Sequence, residues 1–98
     1  MPADCLFCRI AAGEIPATKV HEDDLVFAIR DINPQAPTHV LVMPLAHVVS
    51  AADLTEADAP LLGRLFSVAA GLARSEGLDD GWRLVSNVGP DGGQSVDH

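Results

Sequence analysis

Cys5 and Cys8 stand three residues apart near the start of the chain. On a helix, positions three apart share a face, so both sulfurs can reach one ion. Zinc takes four nitrogen or sulfur ligands in a tetrahedron, with thiolate and imidazole preferred. Four histidines, His21, His39, His47 and His98, are available to complete the set. Two other readings stand beside this one. The thiols could be small apolar residues under a sheet, or a redox pair with an activated thiol at a helix N-terminus. No strand–helix–strand unit precedes the motif, which weakens the redox reading.

A second candidate is the glycine-rich stretch 88–95, Val-Gly-Pro-Asp-Gly-Gly-Gln-Ser. Glycines let backbone N–H groups approach an anion, and Gln94 and Ser95 add side-chain donors. The stretch has no lysine and does not match the P-loop pattern, so a plain connection between strands is the alternative. Asp31 closes a strand-like run ahead of a proline-rich loop. Its carboxylate could accept two ribose hydroxyls, or it could cap the following turn. His39 lies in the most apolar run and reads as a packed core residue. His21 lies in a polar segment and reads as solvated. His47 follows Pro44 at a strand exit, where binding residues often sit.

The elements that must position these side chains follow from periodicity. Residues 5–12 read as a short helix, capped by Asp4 and ended by Gly13. Residues 19–21 suggest a short strand. Residues 25–30 alternate, with Leu25, Phe27 and Ile29 on one face and Val26, Ala28 and Arg30 on the other. Residues 38–43 are apolar on both faces, so this run is expected to be the central strand, covered on both sides and ended by Pro44. A long helix should start between Thr55 and Ala59, with Thr55 and Asp58 as a cap and Pro60 in its first turn, and stop before Gly77. Leu61, Leu62, Leu65, Phe66, Val68, Ala69, Leu72 and Ala73 give it a wide apolar stripe. Residues 82–87 alternate as another strand, and 95–98 read as a strand beginning. Short turns between consecutive strands favour an antiparallel sheet with helices packed on it, an α+β layout.

The 98 residues suit a single small domain spanning 1–98, and a net charge of −8 lacks the basic footprint of a nucleic-acid binder. It lacks equally the cationic amphipathic helix of a membrane-surface binder, and no apolar run is long enough to span a bilayer. Hydrophobic residues make up 48% of the chain and aromatics only 4%, so Val, Leu, Ile and Ala must build the core. The N-terminal residues show no basic segment followed by an apolar one, and two cysteines do not make a disulfide framework, so a cytoplasmic location is expected.

Three blocks of the sequence, in order, are D-C-L-F-C-R-I-A-A-G-E-I-P-A, D-I-N-P-Q-A-P-T-H-V-L-V-M-P and N-V-G-P-D-G-G-Q-S-V-D-H. Together they resemble the histidine triad (HIT) proteins of the Hint branch across nearly the whole chain. That resemblance implies a HIT-like α+β domain: a mainly antiparallel sheet, a short N-terminal helix and one long helix. It implies a homodimer with the long helix and a strand at the interface. It implies nucleotidyl hydrolysis or transfer, typically from purine nucleoside phosphoramidates or related mononucleotides.

By the matching positions, Phe7, Ile10, Ile15 and Ile32 would line the base pocket and Asp31 would hold the ribose hydroxyls. Asn87, Gly92, Gly93 and Ser95 would lie near the phosphate, with His39 and Ser95 supporting the catalytic cluster. Zinc-bearing relatives use positions that correspond here to Cys5, Cys8, His47 and His98, which implies a structural zinc. The family signature is His-φ-His-φ-His-φ-φ, with φ apolar, and His98 supplies only its first histidine. The final strand is therefore expected to be truncated, and the 98-residue form to lack the histidine that attacks phosphorus in the family. The expected function is a covalent nucleotidyl hydrolase or transferase in the intact protein. The alternatives are a non-catalytic nucleotide-binding regulatory module and a small zinc or redox module.

Overall fold

Helix α1 (Leu6–Ala11) opens the part of the chain that the computed structural model describes, residues 5–96 and 98. The expected cap at Asp4 lies outside the described residues. Cys5 is the N-cap, and its sulfur accepts the Cys8 N–H at 3.4 Å. Gly13, at φ +80°, lets the chain leave the helix in a left-handed turn that an L side chain would resist.

Three antiparallel strands follow: β1 (Lys19–Glu22), β2 (Val26–Arg30) and β3 (Val40–Pro44). They lie in the order β1-β2-β3, with an irregularity between Lys19 and His21. Phe27 pairs with Met43 and Ile29 with Leu41, so these four side chains share one face. There Phe27, Ile29 and Met43 join Ile10 of α1 in the core, with Phe7, Ile15, Ala17, Leu41 and Leu45 packed around them. Helix α2 (Ala59–Ser75) packs on β2 and β3.

The strand closed on both faces is therefore β2, and not the 38–43 run as expected. Val26, Phe27 and Ala28 are fully buried and Ile29 is nearly so. β2 lies between two neighbouring strands, whereas β3 borders the sheet among the described residues and most of its side chains are only half-buried. An apolar run records that both faces are apolar, and it does not record which strand lies in the middle. β2 alternates in facing as its sequence reads, with Phe27 and Ile29 on the face of the core cluster and Val26 and Ala28 on the other, and both faces are buried.

The long helix begins where the sequence placed it. The Thr55 N–H donates to Asp58 Oδ2 at 2.9 Å, and Pro60 sits in the first turn of α2. Its apolar stripe is only partly used: Val68 and Ala73 are buried, while Phe66 is 58% exposed. Residues 82–87 form no strand. Trp82, Leu84 and Val85 are exposed, and no backbone ladder reaches them among the described residues. An alternating sequence becomes a strand only when a partner takes its N–H and C=O groups. Residues 95, 96 and 98 form no strand either, and Asp97 lies outside the described residues. No helix among the described residues is long and apolar enough to cross a membrane.

Candidate functional site

The side chains of Cys5, Cys8, His47 and His98 converge at one place. One ligand atom from each lies within 4.8 Å of all the others. Three elements bring them together: the first turn of α1, the segment leaving β3, and the end of the chain. Cys8 Sγ is 3.4 Å from His47 Nδ1 and 3.5 Å from His98 Nδ1, and Cys5 Sγ is 3.4 Å from His98 Nδ1. No disulfide joins the two sulfurs.

These separations suit a metal. With Zn–S near 2.3 Å and Zn–N near 2.0–2.1 Å, the sulfur–nitrogen edges of a tetrahedron are about 3.5 Å. His98 Nε2 lies 2.7 Å from the Pro44 carbonyl oxygen, which has no proton to give. The proton therefore sits on Nε2, and the Nδ1 lone pair faces the sulfurs. The Phe7 and Phe27 rings meet the His98 ring edge-on at 5.9 and 6.3 Å between centroids. Both cysteines are buried and both histidines half-buried, and the four side chains supply the four donors of a tetrahedron. A closed set of this type suits a structural ion.

Electrostatics at the cluster favour neutral groups when no ion is present. Burial, with Cys5 alongside, pushes the Cys8 thiol up. Burial also lowers the His98 imidazole, against the opposing pull of the Pro44 carbonyl. A metal must therefore displace thiol protons to bind. The Pro44 carbonyl is the partner that sequence reasoning missed, because a backbone acceptor leaves no trace in residue type.

The other expected site residues fall into separate groups. Phe7, Ile10 and Ile15 lie together in and around the core cluster. Asp31 and His39 face each other across the loop between β2 and β3, with His39 Nε2 3.4 Å from Asp31 Oδ2. Their backbones are joined by the Asp31 N–H donating to the His39 carbonyl at 3.0 Å. His39 Nδ1 accepts the Gln35 N–H at 3.0 Å, which leaves Nε2 as the protonated nitrogen facing the carboxylate. Asp31 Oδ1 accepts the Asn33 N–H at 2.8 Å, so the carboxylate also shapes the turn, as its alternative reading had it. His39 is a half-buried residue near the loop and is not packed in the core.

Ile32 projects from the same loop at 98% exposure, away from Phe7, Ile10 and Ile15, which pack with the core. Asn87 and Gly92 are neighbours: a Cβ on Gly92 would lie 3.9 Å from the Asn87 carbonyl carbon. Ser95 is exposed beyond Gly93. Gln94 does not point to solvent as a spare donor, since its amide is engaged within its own loop and with Val49. His21 bonds Asp23 at 2.6 Å and is only half-exposed.

The family model of the HIT domain matches residues 12–98. The chain belongs to the HIT family. It is 43% identical to a purine nucleoside phosphoramidase of Escherichia coli K12 over 99 aligned residues, covering 100% of this chain and 83% of that protein. It is 48% identical to a 14 kDa zinc-binding protein of Zea mays, covering 95% of this chain and 74% of that one. Among solved structures, a HIT family hydrolase from Legionella pneumophila Philadelphia 1 superposes with a TM-score of 0.95 at 51% identity, covering 97% of this chain and 86% of that one. The α+β architecture read from the three sequence blocks is thus that of the HIT fold.

Proposed function

We propose that this HIT protein is a nucleotidyl hydrolase or transferase acting on purine nucleoside phosphoramidates or related nucleotides. The observation that carries the reading is the likeness to the bacterial purine nucleoside phosphoramidase along the full length of this chain. The loop holding Asp31 and the glycine-rich loop near Asn87 offer the donors and acceptors that such a substrate needs. Asp31 would accept the two ribose hydroxyls, with Phe7, Ile10, Ile15 and Ile32 flanking the base. Asn87 and Ser95 would donate to phosphate oxygens, where charge builds as the phosphorus is attacked, with Gly92 and Gly93 beside them leaving room for the group because they carry no side chain. A chain of net charge −8 gives an anionic substrate no general attraction, so these local donors must supply it.

The chemistry proposed for the intact protein is covalent. A histidine nitrogen bonds to the α-phosphorus, the phosphorus–nitrogen bond of the substrate breaks, and the amine leaves with a proton. Water then cleaves the nucleotidyl-histidine, releasing the nucleoside monophosphate and restoring the imidazole. His98 does not suit that role. Its Nε2 is bonded to Pro44 and its Nδ1 faces two sulfurs. His39, paired with Asp31, would support the cluster and not attack. In the reading that the family resemblance suggests, the nucleophile would be the second histidine of the signature, of which His98 matches the first.

Zinc is the metal that the Cys5, Cys8, His47 and His98 donors fit, and it would serve as a structural tie between α1, the segment after β3 and the chain end. The zinc-binding name of the maize relative supports that choice. A cytoplasmic homodimer of single HIT domains completes the reading. Release of ammonia and AMP from adenosine 5′-phosphoramidate by the intact protein, carrying the whole family signature, tests it. Turnover at an enzymatic rate supports the hydrolase. Tight AMP binding without turnover replaces it with a nucleotide-binding regulatory module.

A further inference from the structure

The side chain of Gln94 folds back on its own loop. Its Oε1 accepts the Gly89 N–H at 2.8 Å, and its backbone N–H donates to the Gly89 carbonyl at 3.0 Å. Gln94 thus engages both polar groups of the Gly89 backbone, sharing the carbonyl with the Gly92 N–H at 3.1 Å, and the loop 89–94 is closed into a ring. Gln94 Nε2 donates to the Val49 carbonyl at 2.6 Å and to the Val96 carbonyl at 3.3 Å. The His98 N–H donates to the same Val49 carbonyl at 3.2 Å. A single carbonyl, two residues past His47, therefore receives both the glycine loop and the end of the chain that carries a cluster ligand.

The loop needs such a fastening. Gly89 and Gly93 adopt φ +68° and +82°. Glycine populates positive and negative φ about equally, so this sequence has no strong preference of its own for the shape observed. Gly92, Gly93 and Ser95 are exposed around the ring; a short turn, with the Gly92 N–H on the Gly89 carbonyl and the Gly93 N–H on the Pro90 carbonyl, both at 3.1 Å, shapes its middle, and Gln94 closes its ends. A phosphate-binding loop that samples many shapes binds more weakly by the fraction of time it spends in the competent one.

We propose that Gln94 is a positioning residue. Its amide holds Gly92, Gly93 and Ser95 in the arrangement that receives a phosphate, and fastens them to the carbonyl that also receives His98. It acts through the loop backbone and does not itself touch the ligand. The inference rests on the nucleotide reading above, and its consequence is specific: Gln94 matters for the phosphate of a ligand and not for its base or ribose.

Two variants test this in the protein. Gln94→Met keeps the side-chain length and removes all amide bonds, while Gln94→Glu keeps an acceptor for the Gly89 N–H. Calorimetry with AMP and with adenosine, and hydrogen exchange at the Gly89 amide, are the readouts. Gln94→Met is expected to weaken AMP roughly tenfold and leave adenosine unchanged. The Gly89 amide should be protected in the wild type and in Gln94→Glu, and exposed in Gln94→Met. Equal losses for AMP and adenosine, or no loss for either, overturn the assignment. A wild type that does not prefer AMP over adenosine instead removes the nucleotide reading. Gly89 exchange then decides the fastening alone: equal exchange rates in wild type and Gln94→Met overturn it, and protection lost only in Gln94→Met upholds it.

Discussion

Cys8 meets all three other candidate metal ligands, being within 3.5 Å of both histidine Nδ1 atoms and bonded through its N–H to Cys5. Its removal should therefore open the set. Protein purified without added metal is expected to hold about one zinc per chain, and Cys8→Ser well below that by elemental analysis. A strong chelator should lower the thermal midpoint of the wild type and leave that of Cys8→Ser unchanged, because the variant has no ion to lose. A metal-free wild type would remove the zinc assignment. Asp31 offers a second test at this scale. Asn at this position still has an oxygen for the Asn33 N–H, so the turn survives. What is lost is charge toward ribose hydroxyls, about 1.5–3 kcal/mol for a charge-assisted bond. Asp31→Asn should weaken AMP at least tenfold and deoxy-AMP much less, by titration calorimetry. Equal losses would refute the ribose role.

Between elements, the turn joining β1 and β2 is tied to α2 through one carboxylate. Asp23 Oδ2 takes His21 Nε2 at 2.6 Å and Arg64 Nε at 2.9 Å, while Oδ1 takes the Leu25 and Val26 N–H groups. The His21 bond, with the two backbone donors, holds the Asp23 carboxyl well below the usual carboxylate range. Its folded pKa thus lies under the unfolded value near 3.9. The carboxylate contributes stability at neutral pH that fades as the pH falls below about 4 toward the folded pKa. Asp23→Asn should flatten the acid limb of a denaturation profile measured between about pH 2 and 5. An unchanged limb would mean that the network adds nothing to folding. A second tie, Arg30 to Glu76 at 2.5 Å, fastens the end of β2 to the end of α2. Both ties fix the register of the long helix on the sheet, and so the placement of whatever follows it.

At the scale of the molecule, α2 and the segment after it leave apolar side chains open. Phe66 on α2, with Trp82, Leu84 and Val85 after it, stays exposed. A two-fold dimer would cover this surface symmetrically. Sedimentation should give about twice the chain mass, and a monomer at micromolar concentration would defeat the proposal. Activity belongs to this scale as well. A polypeptide of these 98 residues should show no nucleotidyl hydrolase turnover, because both nitrogens of His98 are engaged within the fold. Extending it with a histidine-apolar-histidine continuation should restore turnover, and replacing the first added histidine should abolish it. Normal turnover by the 98-residue form would make His39 or another group the nucleophile.

Local chemistry was legible in the sequence wherever one residue type meets its partner within a few positions. The capping pair Thr55 and Asp58, Pro60 in the first turn and Gly13 at positive φ all act through near neighbours, so residue order alone located both helices. The three-residue spacing of Cys5 and Cys8 likewise fixed half of the candidate metal set. The other half could not be read from spacing, since His47 and His98 reach the thiols only after the sheet has folded, and four histidines were available. Only the resemblance to relatives singled them out in advance. Among the described residues, the tertiary structure alone decided which strand is central. Val26 to Ile29 and the 38–43 run are both apolar, and a strand's place in the sheet depends on which edges are hydrogen-bonded, which side-chain type does not encode. It also decided that residues 82–87, alternating as well as any strand, find no strand partner among the described residues. The same holds for Gln94, whose amide could have faced an anion and instead meets Gly89 and Val49, because only long-range folding brings the Val49 carbonyl within its reach.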